Sequence, residues 1–271
     1  MHGSVLYAFI IGWFIVWVVL FWFVNSNYTR PDYEEELFDN KVMFVYKLID
    51  DTYLKVDTSL DWAKHFVYKF KHNEPYTNLK MKELLGDLPE NSEIIDVGAH
   101  VGDTGLYLAK HMKLHYPNRG MRVIMIEPDA SKLAFIRATA ELNGLEDYIE
   151  LINKGVSDVS GSKGSLDVNT KSPGATRLSQ DGKGAVEIDT MDNLCRHRDV
   201  SMLHIDVEGM EYAALNGARH LLGKAKYVMI ELNSLSDRTK ERKLLVSYGY
   251  EHVPDLQIES EFKNHLFHKP T

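Results

Sequence analysis

The string Ile94-Ile95-Asp96-Val97-Gly98-Ala99-His100-Val101-Gly102 sets a carboxylate, two glycines and an imidazole close together at the end of an apolar run. Gly98 and Gly102 permit a tight turn in which backbone approaches a ligand closely, and Asp96 places a negative charge in that turn. A nicotinamide dinucleotide would need Gly-x-Gly-x-x-Gly to seat its pyrophosphate on a helix terminus. Here the spacing is Gly-x-x-x-Gly, and a carboxylate beside a pyrophosphate repels it. Further on, Ile126-Glu127-Pro128 ends a second apolar run with a carboxylate able to take both hydroxyls of a ribose. A nucleoside that carries a cation and no phosphate satisfies both strings, and S-adenosylmethionine is such a molecule.

A third string, Leu203-His204-Ile205-Asp206-Val207-Glu208-Gly209-Met210-Glu211, concentrates acid and imidazole groups. Strand alternation sends His204 and Asp206 to one face and Ile205 to the other. His100, His204, Asp206 and Glu208 are the candidates for a general base that removes a proton from a hydroxyl, and His suits that work near neutral pH. Asp206 with Glu231 and Asn233 can also converge as oxygen ligands for Mg²⁺, but the metal-free reading is preferred and no metal ligand is assigned. His111 with His115, and His265 with His268, have metal-like spacing but no third ligand nearby, and solvated helix or strand faces explain them more cheaply.

These strings need elements to hold them at one edge. Strands are expected over Glu93–Val97, Arg122–Ile126, Ile149–Asn153, Ser201–Asp206 and Tyr227–Leu232, with helical periodicity between them. One helix carries Leu106 and Ala109. The next carries Leu133, Ile136 and Ala140 between the starter Asp129 and the stop Asn143-Gly144. A third runs through Ala214, Leu215, Ala218, Leu221 and Leu222. Alternation of this kind gives an α/β, mostly parallel sheet with helices on both faces, and ligands bind at the carboxyl ends of its strands. Tyr248-Gly249-Tyr250 and Phe262–His268 are expected to form an antiparallel edge. Gly155–Gly184, with six glycines, reads as a flexible insertion able to act as a lid.

With the Asp96–Gly102 turn, the Ile126–Pro128 string, Val186–Leu194 and above all Ile205–Glu211, the chain resembles the FkbM-type methyltransferases over about residues 93–232. The resemblance implies a Rossmann-like class I methyltransferase fold with a seven-stranded sheet, S-adenosylmethionine as cofactor, and methylation of a hydroxyl, often on a sugar. It implies that Asp96, Gly98 and Gly102 line the methionine end, that Glu127 holds the ribose, and that Asp206 lies at the methyl-transfer face. The cofactor-binding set is therefore Asp96, Gly98, His100, Gly102, Glu127 and Asp206, and the catalytic pair is His204 and Asp206. Two positions depart from the family pattern: His100 stands where Asn is usual and His204 where Lys is usual.

The rest of the chain bears on partners and place. Val5–Val24 is an uncharged apolar run holding Trp13, Trp17 and Trp22, long enough for one transmembrane helix. Its length and the lack of a basic leader speak against a cleaved signal peptide. Arg30 favours a cytosolic C-terminal part, whereas a short tail followed by anchor, stem and enzyme is the layout of Golgi or ER lumenal sugar-modifying enzymes, so the side stays open. Residues 25–76 read as a helical stem, from Leu37, Val42, Val45, Leu48, Ile49 and Tyr53 and then Trp62, Phe66 and Phe70. The catalytic domain is expected over 77–271. With 39 acidic against 31 basic residues the chain is net −8, which excludes a basic nucleic-acid-gripping surface. The single cysteine, Cys195, forbids an internal disulfide. A membrane-anchored O-methyltransferase acting on a carbohydrate is the leading reading. A methyltransferase acting on protein and a non-catalytic tethered domain of the same fold are the alternatives.

Overall fold

The computed structural model describes residues 33–38, 41–47, 53–57, 74–167, 177–179, 182–232, 238–255, 259 and 263–270. The chain divides into Met1–Glu34 and Glu35–Thr271, and apart from the first two residues of the strand Tyr33–Phe38 the features below belong to the second unit. The transmembrane expectation over 5–24 lies outside the described residues; among those described, no helix is long and apolar enough to cross a membrane.

The stem expected to be helical is stranded where it is described. Strands β2 (Lys41–Lys47) and β3 (Tyr53–Asp57) pair antiparallel, after β1 (Tyr33–Phe38). The helical spacing was misleading because β-branched and aromatic residues also fit a period of two. Leu54 and Val56 are fully buried while Tyr53 is exposed. Trp62, Phe66 and Phe70 lie outside the described residues. A helix, α1 (Pro75–Leu84), then leads into the main sheet.

That sheet follows β4 (Glu93–Val97), α2 (Asp103–His115), β5 (Arg122–Ile126), α3 (Ala130–Asn143) and β6 (Ile149–Ile152). After an insertion and the short α4 (Met191–Cys195) come β11 (Val200–Ile205), α5 (Glu211–Asn216), α6 (Arg219–Lys224), β12 (Tyr227–Glu231), α7 (Arg238–Ser247), β13 (Glu251–Val253) and β14 (Asn264–His268). Its order is β13-β14-β12-β11-β4-β5-β6, parallel from β12 to β6, with β13 and β14 antiparallel as expected for the edge. All five residues of β4 are buried, as a central parallel strand covered on both faces requires. The chain leaves β4 for β5 and β6 on one side and returns as β11 and β12 on the other. This makes the carboxyl ends of β4 and β11 the topological switch point, where the sheet opens a crevice. At the opposite ends, Arg198 pairs with Glu93 and Glu150 and ties β4 to β6.

The expected flexible insertion is ordered over most of its described part. Here β7 (Gly155–Val156), β8 (Ser162–Asp167), β9 (Arg177–Ser179) and β10 (Val186–Asp189) form a second sheet in the order β7-β10-β8-β9. Gly155, Gly164 and Gly184 are packing residues: a Cβ on Gly164 would lie 2.3 Å from the Ser179 carbonyl oxygen, so strands rather than freedom explain that glycine.

Candidate functional site

Strand β4 delivers Asp96 and then turns at Gly98, whose φ is +81°. A Cβ there would lie 1.8 Å from the backbone oxygen of Asp206, so only glycine lets the two strand ends lie against each other. Gly102, φ +79°, starts α2, and a Cβ on it would meet Ile136 at 2.9 Å. His100 also takes a left-handed φ, 50°. Asn and His are among the few side chains that tolerate that region, which accounts for His in a position where the resemblance leads one to expect Asn.

Glu127 follows β5 and is buried. Its Oε2 accepts the His100 backbone N–H at 2.9 Å and its Oε1 the Asp129 backbone N–H at 2.9 Å. The carboxylate is thereby oriented while each oxygen keeps acceptor capacity for a ribose hydroxyl. Burial raises its proton affinity, and Lys132 and the two amides oppose that rise.

His204 and Asp96 are register partners on β11 and β4, and His204 Nδ1 lies 2.8 Å from Asp96 Oδ1 inside the fold. Burial works against a charged imidazole, but the hydrogen bond and charge of Asp96, helped by Glu74 and Asp206, push its pKa up to about 9. His204 therefore carries its proton at neutral pH. The departure from Lys conserves charge: a cation sits at this position either way.

Asp206, just past β11, and Glu231, at the end of β12, form a hydrogen-bonded carboxyl pair. Burial and then the neighbouring Glu231 charge raise the proton affinity of Asp206 well above its ordinary value, and burial raises that of Glu231 too. Glu208 and Gly209, with φ of 50° and 100°, make the turn into α5, and Gly209 N–H donates to Glu211 at 2.8 Å.

These groups line one cavity of about 260 Å³, together with Ala99, Asp103, Thr104, Lys132, Lys154, Met210 and, from the second sheet, Val156, Leu166 and Leu178. The cavity thus contains Asp96, Gly98, His100, Glu127, His204 and Asp206 from the expected set; Gly102 shapes the turn without lining it. Glu74 was not expected. It precedes Pro75 with a φ of 50°, is buried, accepts from Asn264 Nδ2 at 2.9 Å, and is pushed up to about 8, chiefly by burial and then by Asp206. No spacing in the sequence ties Glu74 to residues so far along the chain. Of the proposed Mg²⁺ ligands, Asp206 and Glu231 meet, and Asn233 lies outside the described residues.

Seven carboxyl residues and two lysines line the cavity, so its field favours a positively charged ligand. Buried Asp96 Oδ2 and Asp206 Oδ1 have no hydrogen-bond partner among the described residues, which suits acceptors waiting for a cationic group. The residues therefore fit S-adenosylmethionine, with its ammonium, sulfonium and ribose. A doubly wound sheet with an acid-flanked glycine turn after its first parallel strand and an oriented carboxylate after the second defines a class I, S-adenosylmethionine-dependent methyltransferase. The family described as "Methyltransferase FkbM domain" matches residues 96–264, and the chain belongs to that family. Glu74 lies outside the matched span.

Among solved structures, precorrin-6y C5,15-methyltransferase from Geobacter metallireducens GS-15 is similar at 15% identity, covering 66% of this chain and 71% of that one, with a TM-score of 0.41. Fibrillarin from Aeropyrum pernix, solved with S-adenosyl-L-methionine, gives 12% identity, coverage of 87% and 96%, and a TM-score of 0.41. A TehB-like methyltransferase from Corynebacterium glutamicum gives 13%, 78% and 95%, and 0.41. At these identities and scores they add nothing to what the family match establishes. No curated protein matches the chain in sequence.

Proposed function

We propose that the chain is an O-methyltransferase whose acceptor is a neutral hydroxyl compound, a sugar or glycan, and that Val5–Val24 anchors it in a membrane. The observation that carries the acceptor class is the Asp206–Glu231 pair at the strand ends. A hydroxyl is a poor nucleophile at neutral pH and needs a base beside it as the new bond forms. Carboxyl groups whose proton affinity is raised by burial and by neighbouring carboxylates are better bases than free ones, and Asp206 and Glu231 are both raised in this way. An acidic cavity also disfavours phosphorylated acceptors, while carboxylates accept hydrogen bonds from sugar hydroxyls.

Bound S-adenosylmethionine supplies an electrophilic methyl group on sulfur. The chain's own residues do the remainder. Glu127 holds the ribose, and Asp96 serves the methionine end while keeping His204 protonated. His204 then contributes a buried N–H donor, through Nε2, rather than the base expected of it, and the proton acceptor is the Asp206–Glu231 pair. Leu166 and Leu178 of the second sheet limit water at the mouth.

The test is S-adenosylhomocysteine release by the purified chain over a panel of neutral sugars, phosphosugars and proteins, with Asp206→Asn and Glu231→Gln alongside. Turnover on a neutral sugar should fall by about a hundredfold or more in both variants while calorimetric cofactor binding changes less. Turnover on protein alone, or variants as fast as the parent, would remove this reading.

A further inference from the structure

At the antiparallel edge of the main sheet, His252 of β13 and His265 of β14 lie on the same face, since His252 pairs with Phe267, two residues from His265. His252 Nε2 is 3.2 Å from His265 Nδ1, and Glu259 Oε1 is 3.2 Å from His252 Nε2 and 3.8 Å from His265 Nδ1. Four ligands arranged tetrahedrally at about 2.0–2.1 Å from a zinc ion stand about 3.3 Å apart. The three ligand atoms already have nearly that separation, and among the described residues this is the group of His, Cys, Asp and Glu side chains gathered closely enough to hold a metal ion.

We infer that His252, Glu259 and His265 form a binding site for a divalent cation of the zinc class, with a fourth position open to water. Two imidazoles and one carboxylate select such a metal over Mg²⁺ or Ca²⁺, which take oxygen ligands. His252 Nε2 faces the His265 Nδ1 lone pair and a Glu259 oxygen, so it donates in the metal-free chain, and a bound metal ion takes the place of that proton. Arg242 Nη2 lies 3.3 Å from His265 Nδ1 and can only donate, so Nδ1 presents an acceptor lone pair towards the cluster. Arg242 and a metal ion cannot share the spot, so the guanidinium acts as a resident cation that zinc displaces. The site also bears on the cavity: Asn264, next to His265, donates to Glu74 at 2.9 Å, so a metal gripping β14 steadies the strand that holds Glu74.

The probe is Zn²⁺ alone, added to the full chain without a histidine tag, with bound metal measured after dialysis and thermal unfolding followed in parallel. Co²⁺ serves as the spectroscopic stand-in. One equivalent should bind, raise the unfolding temperature, and give the intense visible bands of four-coordinate Co²⁺. His252→Ala and Glu259→Gln, both at partly exposed positions, should each weaken binding at least tenfold, and Arg242→Gln should tighten it severalfold. His111→Ala, which alters a separate stacked histidine pair, should bind like the parent. Absence of one-to-one binding, parent-like binding in His252→Ala and Glu259→Gln, or unchanged binding in Arg242→Gln each overturns the assignment.

Discussion

Replacing Asp96 by Asn removes the charge that keeps His204 protonated while leaving an oxygen of the same shape against Nδ1. In the parent, His204 is raised from 6.5 to about 9. At about 1.4 kcal/mol for each tenfold in proton affinity, that difference corresponds to about 3 kcal/mol of folding stability. Because the folded-state affinity lies above the unfolded one, this stabilisation is fully present below pH 6.5 and is lost as pH rises through 9. In Asp96→Asn, burial disfavours the cation and only the Glu74 and Asp206 charges oppose it, so the imidazole is neutral across this window and contributes no slope. Urea denaturation of both proteins from pH 6.5 to 9 should therefore show the parent's advantage shrinking by about 3 kcal/mol. Glu74, pushed up to about 8, also makes stability fall with rising pH between its unfolded value of 4.5 and 8, but it is present in both proteins, so only its response to the lost His204 charge enters the comparison. An imidazole titration followed by NMR reads the same quantity directly. A stability difference that stays flat over this range, or a His204 resonance titrating near 6.5 in the parent, would refute the reasoning.

Gly98→Ala should abolish S-adenosylmethionine binding and destabilise the fold by at least about 1–2 kcal/mol, the cost of a left-handed residue with a side chain, because the new methyl meets the Asp206 backbone oxygen; calorimetry and thermal melts check both, and parent-like binding would count against the geometry. Tyr250→Phe removes a buried hydroxyl that donates to the Ala225 carbonyl at 2.7 Å and should cost about 1 kcal/mol in urea denaturation without altering cofactor affinity. The anchor reading predicts that the full chain stays in the membrane pellet after alkaline carbonate washing and that a chain lacking residues 1–30 is released; a full chain that washes off would remove the anchor.

Much of the main sheet could be read along the chain because its signals are local. The strands at Glu93–Val97 and Arg122–Ile126 are short runs rich in Ile, Val and Met, and α3 is bounded by Asp129, whose side chain accepts from Ser131 N–H at 2.9 Å, and by Gly144 in the left-handed region. Strand ends and glycine turns then pointed to Asp96, Gly98, Glu127 and Asp206, since function in such sheets gathers at one edge. The region before α1 was misread because apolar residues of a β-hairpin can mimic helical spacing over a short stretch, and only pairing between β2 and β3 decides between them. The glycine-rich insertion was misread for a related reason: glycine marks both freedom and close packing, and the backbone of Ser179 against Gly164 settles which applies.

The sequence by itself determined the residue types at the strand ends, and with them the family and the cofactor class. What it could not determine was protonation and partnership, which depend on burial and on groups distant along the chain. His204 is a cation because β11 and β4 place it against Asp96. Asp206 holds a proton more tightly than a free carboxylate because it is buried and β12 brings Glu231 beside it. Glu74 joins the cavity, and His252 meets His265, through contacts that span from 13 to 190 residues of chain. A pKa is a property of the surroundings, and only the folded chain has surroundings.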